Sequence, residues 1–291
     1  MTLPRLVSTV SELRQLVRDA KLTGKRIGLI PTMGALHAGH LSLVEAAERE
    51  CDFLVVSLFV NPTQFAPHED YQRYPRTLEE DLSGLSRHRV NAVFAPSVAE
   101  MYPDGYQSYV EVRELSSRWE GVHRPDHFRG VATIVLKLFT AAEPDFSYFG
   151  QKDFQQLAII ERLTADLALP IAIRGCPILR DPDGLALSSR NRFLSGAERE
   201  RGLALSRALA VAGEMARRGE RDCGELRAAL QEILTQADLQ IDYATVVDRT
   251  TLEVLSTLDR PAVAILAARV GATRLIDNAL LTPPEMEERS V

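Results

Sequence analysis

The sequence predicts an α/β protein, a parallel-sheet domain followed by a smaller α+β domain, and three observations carry that prediction. Short apolar runs at Ile27–Ile30 and Phe53–Val60 read as strands buried on both faces, the signature of a parallel sheet. Between them Leu41, Val44 and Ala47 recur at helical spacing, so strand, helix and strand follow one another. Beyond Ser195 the composition shifts to Ala, Leu, Arg and Glu and the alternation of strands and helices lapses. The boundary is therefore placed near Asp181, giving domains 1–180 and 181–291.

The elements follow in order. Val10, Leu13, Leu16 and Val17 stand at helical spacing behind a Ser8 cap, which predicts an amphipathic helix over Ser8–Ala20 as the first element. The strand at Ile27 is broken by Pro31 and Gly34, and the turn opens the next helix. Free backbone N–H groups and the positive end of the helix dipole would face an anion there. His37 and His40, three residues apart, would add two imidazoles on one side. The pair fits a phosphate site; a half-built metal site or ordinary helix histidines share the spacing.

After the strand at Phe53 comes Asn61-Pro62-Thr63-Gln64-Phe65, where the loops of an open parallel sheet hold ligands. Asn61 and Gln64 would aim amides into a site, unless Asn-Pro merely starts a turn. The polar stretch from His68 leads into a helix over Leu78–Leu85, whose Glu79, Glu80 and Asp81 read as a solvated face rather than a magnesium site. Asn91–Ala95 and Tyr109–Val112 are short strand candidates. Arg118–Gly130 is a polar, basic segment, either a binding loop or a solvated connection. The helix Phe128–Ala142 carries Arg129 in its first turn, unfavourable for the dipole and so a hint of an anionic partner.

Asp145–Phe149 is a further strand, ending in Gly150-Gln151-Lys152-Asp153 before a helix over Phe154–Leu167. Lys152 suits a phosphate contact, or is a surface charge. A strand at Ile171–Ile173 and a hairpin-like turn at Asp181–Gly184 precede Leu187-Ser188-Ser189-Arg190, whose hydroxyls and guanidinium suit phosphate oxygens. Helices over Gly196–Arg217 and Cys223–Ala237, strands at Ile241–Val247 and Ala262–Ala267, and a polar tail complete the chain.

Composition bounds the function. With 291 residues, 45% of them apolar, the chain can fill a real core. A net charge of −6, from 34 Lys and Arg against 40 Asp and Glu, argues against an extended nucleic-acid footprint or an anionic membrane surface. No apolar run approaches a membrane span and no signal pattern opens the chain, so the cytoplasm is the expected location. Cys51, Cys176 and Cys223 are widely spaced and in no CxxC pattern, and read as buried free thiols.

Taken together, the motifs carry a resemblance. Pro31–His40, Phe59–Phe65, Tyr74–Thr77, His127–Val131, Phe149–Asp153, Asp183–Asn191 and Arg274–Asn278, in this order and spacing, resemble the pantoate-beta-alanine ligases (pantothenate synthetases) over nearly the full length. The resemblance implies a Rossmann-like nucleotidyltransferase domain with a smaller α+β lid, related to class I aminoacyl-tRNA synthetases. It implies a two-step reaction: pantoate attacks the α-phosphorus of Mg-ATP to give pantoyl adenylate and pyrophosphate, and beta-alanine then displaces AMP. Met33, Gly34, Ala35, Leu36, His37, Ala38, Gly39 and His40 would line the nucleotide site, with His40, His37 and Lys152 catalytic. Gly150, Gln151, Lys152, Asp153, Leu179, Leu187, Ser188, Ser189 and Arg190 would complete the ATP contacts. Gln64 and Gln156 would hold pantoate, with Asn61 and Arg129 as secondary candidates. Gln151 stands where the family usually has glutamate. Mg2+ would arrive with ATP, with no protein ligand identified, and the family implies a homodimer. Another adenylyl or cytidylyl transferase of this superfamily, or a nucleotide-binding regulator or RNA-binding protein on the same fold, are the competing readings.

Overall fold

The computed structural model describes residues 3–66 and 71–283, so His68 and the end of the polar tail lie outside the described residues. The chain divides into two compact units, Met1–Gln151 with Gln155–Pro177, and Lys152–Phe154 with Ile178–Val291.

The first unit opens with a strand that the apolar pattern does not reveal, β1 (Arg5–Val7). It pairs in parallel with a later strand, β4 (Val90–Phe94). Only Val7 of its three residues is buried, so three residues at a sheet edge leave no periodicity to read. Helix α1 (Val10–Leu22) is capped by Thr9 rather than Ser8. The Thr9 side chain accepts from the Glu12 N–H while Glu12 accepts from the Thr9 N–H, a reciprocal box that Ser8 is one residue too early to make.

Strand β2 (Ile27–Thr32) continues through Pro31 instead of stopping at it. It lies between β3 (Phe53–Leu58) and β5 (Phe146–Gly150), but its pairing with β5 ends at Leu29. Pro31 therefore sits where one side of β2 has no ladder to lose. Helix α2 (Ala38–Glu50) joins β2 to β3 and buries Leu43, Val44 and Ala47. Helix α3 (Leu78–Leu85) joins β3 to β4. Three short helical turns follow, α4 (Val98–Met101), α5 (Arg113–Ser116) and α6 (Glu120–His123). Tyr109–Val112 is not a strand: the Val110 N–H donates to the Thr133 hydroxyl instead of to a neighbouring chain. Helix α7 (His127–Ala142), β5, helix α8 (Phe154–Asp166) and strand β6 (Ala172–Cys176) close the sheet.

All six strands are parallel, in the order β1-β4-β3-β2-β5-β6. From β2 the chain winds outward through β3 to β4, then returns to β2's other side as β5. Ligands of open α/β sheets bind outside the carboxyl ends of the strands at such a reversal. The sheet is packed closely around β2: Ile27, Leu29 and Ile30 are fully buried. A methyl group on Gly28 would stand 2.7 Å from Leu54 Cδ2 and 2.9 Å from Cys51 Sγ. Cys51, Cys176 and Cys223 are buried free thiols.

In the second unit the predicted long helix is two, α9 (Gly196–Gly202) and α10 (Ala204–Arg217), parted at Leu203. Helix α11 (Cys223–Gln236) packs with α10 on an antiparallel sheet of β7 (Gln240–Asp248), β8 (Ala262–Val270) and β9 (Thr273–Leu281), in that order. β9 is missed by the apolar pattern, because Arg274, Asp277 and Asn278 interrupt its alternation. Arg274 and Asp277 line the unit's polar cleft, and Asn278 bonds the backbone of Lys152 beside it.

Candidate active site

In the first unit the carboxyl end of β2 carries the loop Met33–His37 into α2. Thr32 anchors its start: its hydroxyl donates to Ser57 O at 2.7 Å and accepts from the Gly34 N–H at 3.2 Å. Gly34 (φ +84°) and Ala35 (φ +51°) then turn the chain through the left-handed region, which costs Ala35 on the order of 1 kcal/mol. Asp81 on α3 holds that turn. Its two carboxylate oxygens accept from Ala35 N at 3.0 Å and Leu36 N at 2.7 Å, and from the Thr77 hydroxyl. Glu79 and Glu80 are the exposed face expected of them, but Asp81 is only 4% exposed and is the loop's clamp.

His37 caps α2 rather than riding on it. Its Nδ1 accepts from Gly39 N at 3.1 Å, and the His40 Nδ1 accepts from His37 N at 3.4 Å. A backbone N–H can only donate, so each neutral ring must carry its proton on Nε2. The capping geometry thus turns both imidazoles into Nε2–H donors at a helix N-terminus, with ring centroids 4.1 Å apart.

Asn61 and Gln64 flank the same loop. Asn61 caps a 3-10 turn over Pro62–Gln64, as the turn reading of Asn-Pro expects, and its side chain is buried at 1% exposure. Its Nδ2 donates to Gln64 Oε1 (3.2 Å) and to Gly130 O (3.1 Å), and the Gln64 Nε2 reaches Met33 Sδ at 2.9 Å. The segment Arg118–Gly130 supports this turn from below. His127 donates from Nδ1 to Gln64 O at 2.8 Å, leaving Nε2 to accept from Arg124 Nη1 at 3.1 Å. Gly130 lets α7 abut the turn: a methyl group there would meet Thr63 O at 2.4 Å. Arg129 does not remain unpaired: its guanidinium lies over the Tyr109 ring at 5.0 Å, with Asp126 Oδ1 at 3.7 Å.

At the end of β5, the Gln151 amide donates to Gly175 O at 3.4 Å, a bond an ionised glutamate could not make. Gln155 is buried and ties together Leu115 O, Arg118 O and Glu120 N. Gln156, one residue on, is half-buried.

The second unit gathers its own polar cleft. Lys152, Ser188, Arg190, Asn191, Arg274 and Asp277 line it. Ser188 caps the turn over Ser189–Phe193 through Arg190 N, and Asn278 Nδ2 donates to Lys152 O at 2.9 Å. Beneath them lies a bidentate ion pair, Arg180 Nη1 to Asp277 Oδ2 at 2.7 Å and Arg180 Nη2 to Asp277 Oδ1 at 3.0 Å. Arg180 also donates to Gly184 O, so this pair fixes the loop that leads to Ser188. Leu187 donates its N–H to Leu179 O, and Leu179 itself is exposed. Among the described residues no group of three or more His, Cys, Asp and Glu could hold a metal ion. Likewise no helix among them is long and apolar enough to cross a membrane.

Asp81, Arg180, His127 and Gly130 are the supporting residues that sequence reasoning did not assign. His127 and Gly130 lie inside the motif His127–Val131, and Asp81 in the acidic run whose pattern reads as a solvated face.

Known proteins resemble this chain over nearly its whole length. The family model described as Pantoate-beta-alanine ligase matches residues 5–280. A pantothenate synthetase of Acidobacterium capsulatum is 52% identical, covering 95% of this chain and 97% of the relative. The crystal structure of pantothenate synthetase from Thermus thermophilus superposes with a TM-score of 0.90 at 46% identity, covering 96% of this chain and all of the other. The pantoate-beta-alanine ligase from Francisella tularensis, complexed with beta-gamma ATP and beta-alanine, gives 0.77 at 33% identity, covering 95% and 97%.

Proposed function

The chain belongs to the pantoate-beta-alanine ligase family, and from that premise we propose how its residues join pantoate to beta-alanine at the expense of ATP. The observation that carries the activity is the match over residues 5–280, which takes in every motif of both units. In the first step the pantoate carboxylate attacks the α-phosphorus of Mg-ATP, forming pantoyl adenylate and releasing pyrophosphate. In the second the beta-alanine amine attacks the acyl carbon and AMP leaves.

The physical difficulty is charge, because a carboxylate must approach a polyanion. Groups that neutralise phosphate oxygens as charge moves onto pyrophosphate lower that barrier most. His40 and His37 are proposed as Nε2–H donors, a role supported by the caps that fix their tautomers. Lys152, Ser188, Ser189 and Arg190 are proposed as further phosphate contacts, with Met33 to Gly39, Gly150, Gln151, Asp153, Leu179 and Leu187 lining the nucleotide. Gln64 and Gln156 hold pantoate in this reading, and Gln64 also lies near beta-alanine; Arg129 is a secondary candidate. Magnesium enters as part of the Mg-ATP substrate, coordinated by phosphate oxygens and water. A cytoplasmic homodimer completes the proposal.

Mass analysis of a reaction containing ATP, pantoate and beta-alanine tests it. Equimolar pantothenate, AMP and pyrophosphate are expected, with pantoate alone sufficient for ATP–pyrophosphate exchange. ADP and phosphate in place of AMP and pyrophosphate would overturn the adenylate route, and exchange with other acids at the same rate would point to a different acceptor.

A further inference from the structure

The amide of a glutamine can face a ligand either as a donor or as an acceptor, and nothing in the Gln64 side chain itself selects between them. Its neighbours do. Asn61 touches two groups whose roles are fixed by their chemistry: the Gly130 carbonyl, 3.1 Å from Nδ2, can only accept, and the Thr63 backbone N–H, 3.3 Å from Oδ1, can only donate. Asn61 therefore has one possible orientation. The Tyr102 hydroxyl at 2.8 Å and the Thr63 hydroxyl at 2.9 Å both donate to the same Oδ1. With its Nδ2 aimed at Gln64 at 3.2 Å, Asn61 obliges Gln64 to turn Oε1 toward it and Nε2 away. The Nε2 now points at Met33 Sδ, a weak acceptor standing where a ligand oxygen would serve better.

We propose that Tyr102 and Asn61 are positioning residues that fix Gln64 as a hydrogen-bond donor toward the acidic substrate. Asn61, 1% exposed and with both its polar atoms engaged inside the protein, acts through Gln64 and does not touch substrate. Tyr102 keeps its proton throughout the working range, since burial pushes its hydroxyl up to about 12. This inference rests on the assignment of Gln64 to pantoate made above.

Two substitutions in two backgrounds test it. Asn61→Asp replaces the donor facing Gln64 by an acceptor, which turns the Gln64 amide round and sets an oxygen against an anionic substrate. KM for pantoate is expected to rise about 10²-fold, the scale of exchanging a charge-assisted hydrogen bond for a repulsive contact, while KM for ATP stays within about twofold. Tyr102→Phe, which buries no new charge, should raise KM for pantoate about threefold to tenfold and leaves Thr63 to hold Asn61. In a Gln64→Ala background neither change should alter KM for pantoate further, because the group they orient is gone. Equal rises in both KM values, or the same pantoate effect with Gln64 absent, would overturn the relay. If Asn61→Asp fails to fold, the Tyr102→Phe pair decides the matter. A wild-type enzyme without pantoate-dependent ATP–pyrophosphate exchange would instead overturn the functional reading, and the relay's substrate with it.

Discussion

Two buried aspartates each hold a loop, and they do it differently. In the first unit Asp81 accepts directly from the backbone at Ala35 and Leu36; in the second, Asp277 works through a guanidinium, pairing with Arg180, which in turn holds Gly184 O. Removing the first carboxylate strands neutral N–H groups, whereas removing the second strands a cation. The former costs on the order of 1–3 kcal/mol and the latter about 3–5 kcal/mol when fully buried. A loop clamped through its own backbone is thus the more tolerant of the two. It is also the one that carries the histidines and the left-handed turn.

The sharpest test separates what these loops hold from how they are held. His40→Ala is expected to lower pantoate-dependent ATP–pyrophosphate exchange by about 10²–10³-fold, the effect of deleting one transition-state donor. The thermal midpoint should move far less than the activity, since the bond that His40 Nδ1 adds to the cap is long, 3.4 Å. Near-normal exchange in this variant would remove His40 from the chemistry. Next in size is Asp277→Asn. Arg180 keeps 30% of its side chain in water, so the expected loss is about 3 kcal/mol, the lower end of the range, read as a fall in the urea midpoint. Asp81→Asn should cost about 2 kcal/mol in the same measurement, because its amide must turn an NH2 toward a backbone donor. A larger loss for Asp81→Asn than for Asp277→Asn would break the comparison. Smallest is Ser188→Ala. Its hydroxyl caps a single turn, and about 1 kcal/mol is expected, with any larger fall appearing in exchange activity and not in unfolding.

Much of the fold was legible in the residues. β2 and β3 are apolar runs, α2 and α7 carry apolar residues at helical spacing, and the turn at Asp181–Gly184 announces itself through Asp-Gly with Gly184 at φ +98°. The misses share a cause. β1 and β9 are strands whose sequences are short or interrupted by polar side chains needed elsewhere, so their pairing and not their pattern makes them strands. Tyr109–Val112 has the pattern without the partner. Asp81 looked like the third member of an exposed acidic face because Glu79 and Glu80 flank it, and only burial tells them apart. Among the proposed site residues, the motifs named the histidines, Gln64, Lys152 and Ser188. They were silent on Tyr102, which reaches Asn61 from 41 residues away, and on Arg180, whose partner Asp277 lies 97 residues on.

Sequence alone therefore determined what is local: the period of most helices and strands, the glycine turn that opens α2, and the side chains proposed to meet phosphate. It also determined family membership, since motifs in a fixed order survive without any coordinates. Tertiary structure alone decided which way the Gln64 amide points and which carboxylates clamp which loops. The reason is distance along the chain. Asp81 lies 46 residues from Ala35 and Asp277 lies 97 from Arg180, so the partner of each buried polar group is set by how the whole unit packs, and no local pattern of residues encodes it.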